Sequence, residues 1–337
     1  MTKPTIICLT PVKNEAWILD RFLKCASLWA DHIIVADQSD DDSAEIARRY
    51  PKVILVHNPA AGYDEPARQK LMLEAARKIP GSRLLITLDA DEAFTANFMT
   101  SPEWQDMLTL SIGTVIRFKW ANLMNDMEHY WDDPWDHAWG FMDDGTEPKW
   151  DNPLHNTRIP IPSSATDILM REVKVMHYQF TEGARRESKW RFYQCFERMM
   201  HSERSAIEIC RRYREPNIRP DQIRVIPGDW LQGYRDQGIN MTSIQRTHRS
   251  WWDKEVLDML DKYGAKHFRR QNVWSVDWNA VHREIYGKEP DRSLSDPRSK
   301  FDKWVHRWLE ASQTNYNPYN LKLKVRIIEK GLRLLGW

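Results

Sequence analysis

Two carboxylates one residue apart, Asp89 and Asp91 in Leu88-Asp89-Ala90-Asp91-Glu92, are the strongest chemical signal in this chain of 337 residues. In extended or turn geometry, residues i and i+2 present their side chains to the same side. Two hard oxygen ligands suit Mg2+ or Mn2+, with diphosphate oxygens completing the coordination shell. The plainer alternative is a solvated acidic turn; the position of the pair directly after an apolar strand favours the metal. A second cluster, Asp37-Gln38-Ser39-Asp40-Asp41-Asp42-Ser43, also follows a strand. A carboxylate there can accept a base N–H or a ribose hydroxyl, and the same run can cap the next helix with Ser43 as N-cap. A third cluster, Lys13-Asn14-Glu15, opens the first helix, where Glu15 also suits the helix dipole. Further on, Arg185, Arg186, Lys189 and Arg191 can neutralise a leaving diphosphate, or form one solvated helix face.

The elements that must position these groups alternate in type. Ile6 to Leu9, Ile33 to Ala36, Val53 to Val56 and Leu84 to Leu88 read as four short apolar strands. Between them, residues 18 to 29, 43 to 50 and 64 to 79 carry helical spacing. Continuous apolar strands separated by helices predict a parallel sheet covered on both faces, an α/β fold. Ligands of such sheets bind beyond the carboxyl ends of the strands. Residues 11–15, 37–43 and 89–92 all lie at those ends, so three polar clusters are expected in one crevice. The absence of G-x-G-x-x-G after the first strand argues against a dinucleotide-binding dehydrogenase.

Composition narrows the class. With Lys+Arg 49 against Asp+Glu 48 the net charge is +1, which gives no nucleic-acid footprint. The four cysteines, Cys8, Cys25, Cys195 and Cys210, have no C-x-x-C spacing and read as buried reduced thiols of a cytosolic protein. The apolar run near the N-terminus is too short for a signal segment or a spanning helix, which places the chain on the cytosolic side. Of 17 tryptophans only Trp17 and Trp29 precede Asp89, so the others serve something built later. Residues 114–122 read as a strand. Residues 125–165, rich in Asp, Trp, Pro and His, read as a long functional loop or lid. Residues 173–177 form a short strand ending in His177, residues 189–213 a long helix, and 214–315 a helical region.

Thr10-Pro11-Val12-Lys13-Asn14-Glu15, then Asp37 to Ser43, then Leu88-Asp89-Ala90-Asp91-Glu92 resemble, in order and spacing, the successive motifs of the family 2 glycosyltransferases, which are inverting enzymes of GT-A fold. The likeness covers residues 1 to about 125 and fades by about 200. It has one departure: the usual D-x-x-S-x-D-x-[ST] is one residue shorter here, as Asp37-x-Ser39-x-Asp41-x-Ser43. The resemblance implies that Pro11 and Glu15 lie near the base and ribose and that Asp37 binds the base edge. It makes Arg68 the arginine that helps hold the nucleotide. Asp89 would face the ribose or a water on the metal, Asp91 would bind the metal directly, and His177 would be a late histidine ligand.

An inverting transfer needs a general base for the acceptor hydroxyl, on the side opposite the leaving nucleotide. Asp132, Asp133, Asp136, Asp143, Asp144 and Glu147 are candidates. Asp143-Asp144-Gly145 is favoured, because a carboxylate pair beside glycine can sit at a tight turn against a ligand, where like charge raises one pKa. Trp131, Trp135, Trp139 and Trp150 surround these residues, and one or two can stack on the acceptor sugar. The expected organisation is a GT-A domain over 1–213, with a donor half to about 125 and an acceptor half from 126, then a helical extension over 214–337. At its end Leu321, Val325, Ile328, Leu332 and Leu335 recur at helical spacing among lysines and arginines. That pattern suits a helix in a membrane interface or one docked on the core. The activity expected is transfer of a sugar from a nucleotide-sugar, a UDP-sugar, to a hydroxyl of a glycan or glycolipid. The rivals are an Asp-x-Asp phosphatase, which expects Thr or Val where Ala93 stands, and a catalytically silent glycan-binding or scaffold protein.

Overall fold

The computed structural model of the chain describes residues 3–60, 62–152, 155–243, 250–313 and 321–337. The first half runs β1 (Thr5–Val12), α1 (Leu19–Ala26), β2 (His32–Asp37), α2 (Ser43–Arg48), β3 (Val53–His57), α3 (Glu65–Arg77), β4 (Arg83–Thr87), β5 (Glu92–Phe94) and α4 (Pro102–Met107). There follow β6 (Val115–Leu123), β7 (His129–Met142), β8 (Asp167–Leu169), β9 (Val175–His177), α5 (Gly183–Met200) and α6 (Ala206–Arg212). The last elements are β10 (Arg224–Val225), α7 (Asp229–Asp236), α8 (Trp251–Tyr263), α9 (Trp278–Tyr286), α10 (Lys300–Ala311) and α11 (Leu323–Leu334). They form two compact units, Met1–Thr181 with Arg224–Arg246, and Glu182–Ile223 with Thr247–Trp337. The boundary expected near 213 therefore falls inside the second unit.

The first unit is the expected α/β fold. Its sheet has the order β3-β2-β1-β4-β7-β6-β9-β5, with β10 on β7 and β8 on β6. The first four of these strands are parallel to one another. Strand alternation in β1 divides the core: Ile6 and Cys8 pack with Leu19, Phe22 and Leu23 of α1, while Ile7 and Leu9 pack with Met72, Leu73 and Ala76 of α3. Both faces of these strands are thus buried, which is why they read as unbroken apolar runs.

Residues 125–165 are not one long loop. Fourteen of them form β7, antiparallel to both β4 and β6. Register shifts between Ile116 and Arg117 and between Lys119 and Ala121 interrupt the β6–β7 ladder. Such bulges break the period-two signal, and Pro134 with Asp132, Asp133 and Asp136 hides it further. Ser43 is not an N-cap either: the N-cap of α2 is Asp42, with no side-chain bond.

The second unit is helical. The helix expected over 189–213 is two, α5 and α6, and Ser205 begins the second by accepting from the Glu208 N–H at 3.2 Å. Helix α11 docks by Val325 and Leu332, and Trp337 is buried with Ala206, Ile207, Cys210, Val305 and Leu309. Arg211 and Glu329 form a buried ion pair beneath it. Leu335, expected on the docked stripe, is instead 63% exposed. All four cysteines are free and buried. Among the described residues no helix is long and apolar enough to cross a membrane.

Candidate functional site

The first two polar clusters are stitched together at the carboxyl ends of β1 and β2, where Val12 pairs with Asp37. Asn14 takes a left-handed backbone, φ 57°, a conformation asparagine tolerates. Its amide N–H donates to Ser39 Oγ at 2.9 Å, and its side-chain oxygen accepts from the Asp40 N–H at 2.9 Å. Glu15 N–H donates to Ser43 Oγ at 2.9 Å, and Ala16 N–H to Asp41 at 3.2 Å. Ser39, Asp40, Asp41 and Ser43 are therefore spent on holding the two loops in register. Asp37, 7% exposed, stands at the strand end with Ser39 N–H 3.3 Å from its carboxylate. Glu15 accepts from the Trp17 indole at 2.6 Å, and Pro11 is half-buried on β1. Arg68 on α3 lies over the Tyr63 ring at 4.9 Å.

The third cluster follows β4, the strand on the other side of β1. Leu88 N–H donates to Leu9 O at 3.1 Å, so the acidic run leaves the sheet beside the first two clusters. Asp89 does not stand alone. Arg158 donates to its carboxylate at 2.7 Å and to both oxygens of Glu92, at 2.6 and 3.1 Å. Glu92 also accepts from Asp89 N–H and from the Trp120 indole, each at 2.8 Å. Burial pushes the Glu92 carboxyl up to about 7, against the pull of Arg158. The Asp89 and Glu92 charges hold the Arg158 guanidinium well above its ordinary value although burial opposes them.

Asp91 lies opposite His177. Its backbone oxygen accepts from Tyr178 N–H at 2.8 Å, and its carboxylate is 3.8 Å from His177 Nε2. His177 Nδ1 is 2.9 Å from Asn122 Oδ1, and the ring stacks on Trp120 at 4.5 Å and 10°. Asn122 and Trp120 are one strand-step apart on β6, which pairs with β9 through Asn122 and His177. With Nδ1–H donated to the amide oxygen, Nε2 faces Asp91. An outer hydrogen bond that fixes tautomer and ring orientation is the usual support of a metal-bound histidine. Among the described residues no group of three or more His, Cys, Asp or Glu side chains is gathered to hold an ion. The donor set that fits is smaller, one carboxylate and one imidazole, which suits a cation that takes its other ligands from substrate phosphates and water.

Asp143 and Asp144 are not brought to this cluster. Asp143 N–H donates to the carbonyl of Arg83, the first residue of β4, whereas Asp89 follows the last, roughly 20 Å away at the rise of a strand. The Asp143 carboxylate is fully buried between Arg77 and Arg83, each at 3.0 Å, and those hydrogen bonds hold it below the usual range against burial. Asp144 turns back to accept from Thr146 N–H at 2.8 Å. Of the other candidates, Asp132 pairs with Lys174 at 2.5 Å, Asp136 with Lys119 at 3.6 Å and Glu147 with Arg77 at 2.9 Å. Asp133 is different: it is 1% exposed, lies 3.4 Å from His137 Nε2, and its second oxygen is buried without a hydrogen bond among the described residues. The His137 ring is 4.2 Å from Trp120, the indole that stacks on His177.

Lys189 belongs to the second unit, on α5, with its ammonium 5.7 Å from the Trp252 ring. Its neighbours are engaged there too, Arg185 over Trp252, Arg186 with Glu215 and Arg191 with Asp253. Three contributors, Trp120, Asn122 and Arg158, escape motif reading. Glu92 closes the third motif, but nothing in the sequence assigns it a role.

No family model matches the chain, and no curated protein does. Solved structures similar to it include glucosyl-3-phosphoglycerate synthase from Mycobacterium tuberculosis in complex with Mg2+ and uridine-diphosphate, 19% identical over 35% of this chain and 44% of that one, TM-score 0.26. S. aureus TarS 1-349 is 14% identical over 36% and 35%, TM-score 0.25. Mannose-1-phosphate geranyltransferase from Thermus thermophilus is 17% identical over 38% and 49%, TM-score 0.26. The chain thus spans less than half of each.

Proposed function

We propose that the chain is an inverting glycosyltransferase of GT-A type that uses Mg2+ or Mn2+ to move a sugar from a nucleotide-sugar, a UDP-sugar, to a hydroxyl of a glycan or glycolipid. The observation that carries this is the oriented His177 facing Asp91 at the same sheet edge as Asp37. Asp37 would accept from the base edge, with Pro11 and Glu15 along the base and ribose and Arg68 on the nucleotide. Asp91 and His177 would hold the cation, and Asp89, braced by Arg158, would face the ribose or a metal-bound water. A bound divalent cation supplies charge stabilisation for the departing diphosphate.

The base for the acceptor is assigned to His137, positioned by Asp133. With Nε2–H turned to the Asp133 carboxylate, Nδ1 can take the acceptor proton. The acceptor oxygen then bonds to the sugar carbon while the carbon–oxygen bond to the diphosphate breaks, its electron pair leaving with the phosphate. Trp135, 52% exposed on β7, offers a face for the acceptor ring. Peripheral membrane contact through α11, on the cytosolic side, is supported by Leu323, Ile327 and Leu334, all more than 60% exposed, among Lys322, Lys324, Arg326, Lys330 and Arg333.

Calorimetric titration with UDP in the presence and absence of Mn2+, followed by a screen of nucleotide-sugars for metal-dependent hydrolysis, tests the reading. Metal-dependent nucleotide binding and turnover of one donor are expected. No nucleotide binding at all would leave the silent scaffold.

A further inference from the structure

The second unit contains a cavity of about 670 Å³ whose lining includes Arg198, Arg204, Lys266, Arg269, Arg270 and Arg333. Its acidic side chains are Glu203 and Glu208, and both are engaged elsewhere, Glu203 with His201 at 3.1 Å and Glu208 with Arg212 at 3.9 Å. Arg204 is paired with Glu197 at 2.8 Å, and Arg270 donates to the Gly336 carbonyl. The side chains of Arg198, Lys266, Arg269 and Arg333 have no ion pair or hydrogen bond among the described residues. The field they set up is felt locally: burial and the Arg198 charge hold His267 below its ordinary value. Gln271 adds a second, independent sign. It lines the cavity and is 1% exposed, and both its amide oxygen and its amide nitrogen are buried without a hydrogen-bond partner among the described residues. A buried amide left unsatisfied on both atoms costs stability, and such a group marks a place where a polar ligand completes the structure.

We propose that this cavity binds a diphosphate group, whether carried as the headgroup of a lipid or free as pyrophosphate. Four cationic side chains without an ion-pair partner match the charge of a diphosphate better than that of one phosphate, and guanidinium groups suit phosphate oxygens. The volume is that of a small-molecule site. The aromatic side chains lining it are His267 and Trp337, and Trp337 is 2% exposed, so there is no tryptophan face on which a nucleotide base could stack. The lipid source has its own support. Leu334 and Leu335, 83% and 63% exposed, sit in the chain between the lining residues Arg333 and Gly336, where an acyl or prenyl chain would leave the headgroup.

The experiment uses the full chain in EDTA, which keeps it apart from any metal-dependent donor binding at Asp91 and His177. Sodium pyrophosphate and sodium phosphate are titrated by calorimetry at low salt. Neutral phosphatidylcholine vesicles, with and without a polyprenyl diphosphate, are sedimented with the protein. Pyrophosphate should bind more tightly than phosphate, weaken with salt, and lose tenfold or more of its affinity in the doubly substituted Lys266→Ala/Arg269→Ala chain, whose altered residues are exposed. Retention by diphosphate vesicles that is lost in Leu334→Ser/Leu335→Ser, with pyrophosphate affinity kept, identifies the lipid source. Pyrophosphate binding without vesicle retention identifies the free one. No pyrophosphate binding at low salt, or undiminished binding by Lys266→Ala/Arg269→Ala, overturns the proposal.

Discussion

His177 Nε2 stands 3.8 Å from the Asp91 carboxylate, although Asp91 lies in the turn before β5, His177 ends β9, and 86 positions separate them. The approach is set by backbone: Tyr178 N–H donates to Asp91 O, and β5 pairs with β9 through Glu92 and His177. Asn122 and Trp120 then fix the imidazole from the next strand. If this pair holds the cation, Asp91→Ala should abolish Mn2+-dependent UDP binding, and Asn122→Leu should weaken metal affinity by about 10–100-fold through loss of the outer bond. Calorimetry of metal and nucleotide on both variants checks this. Unchanged metal affinity in Asp91→Ala would remove Asp91 from the site.

Arg158 is the keystone of the acidic cluster, and its removal should be felt first in stability. The Glu92 side chain is fully buried and takes two guanidinium bonds. Arg158→Ala leaves that carboxylate without its counter-charge, and breaking a buried pair by one partner costs about 3–5 kcal/mol. The double variant Arg158→Met/Glu92→Gln should recover a large part of the loss, because both charges go together. Urea unfolding of the three proteins reads the difference. A double variant no more stable than Arg158→Ala would show that burial of the Glu92 charge is not the source.

The parts of this site that were legible in sequence are those that one strand end presents locally. Asp37, Asp89 and Asp91 follow apolar runs whose burial on both faces makes them readable. His177 reads from the sequence as the end of a short strand, and there it lies. The unreadable parts come from β6 and β7, whose ladder is broken by two register shifts, so that Trp120, Asn122, Asp133 and His137 carry no clean alternation. Arg158 lies outside the strands and helices altogether, and only the third dimension brings it to Asp89. Asp143 shows the reverse error. A carboxylate pair beside glycine looks poised for chemistry, but two arginines from α3 and β4 claim it, and one of them, Arg83, sits at the wrong end of its strand.

The second unit should be sensitive to acid through His306. Burial, with the Arg298 and Arg214 charges, lowers its pKa to about 3, although Asp302 and Asp296 pull the other way. Both ring nitrogens are buried without a hydrogen-bond partner among the described residues, beside Trp337 at 5.2 Å. The unfolded chain protonates this histidine near pH 6.5 and the folded one only near 3, so the unfolded state binds more protons between them. Stability from His306 is complete above about pH 6.5 and falls by roughly 1.4 kcal/mol per unit as pH drops towards 3. The stability difference between the native chain and His306→Met, followed by urea unfolding from pH 7.5 to 4.5, should therefore shift steadily in favour of the variant. A difference independent of pH would mean that the ring takes up its proton as readily in the fold as in the unfolded chain.

His137 differs from the acidic residues around it in what its loss should cost. A general base acts on the acceptor and not on the donor, so His137→Gln should leave metal-dependent UDP affinity unchanged and lower transfer by about 10²–10⁴-fold. Asp133 only positions the ring, since its carboxylate reaches the imidazole at 3.4 Å and also accepts from Trp135 N–H at 2.9 Å. Asp133→Asn should therefore cost less turnover than His137→Gln, and the loss should fall on kcat with the KM for the donor unchanged. A purely structural role for Asp133 would lower the melting temperature and leave the kcat of the folded enzyme where it was. Asp143→Asn serves as the contrast: loss of its ion pairs with Arg77 and Arg83 should reduce stability while the turnover of folded enzyme stays normal. Full transfer by His137→Gln, or its loss in Asp143→Asn with the fold intact, would return the search for the base to the carboxylates.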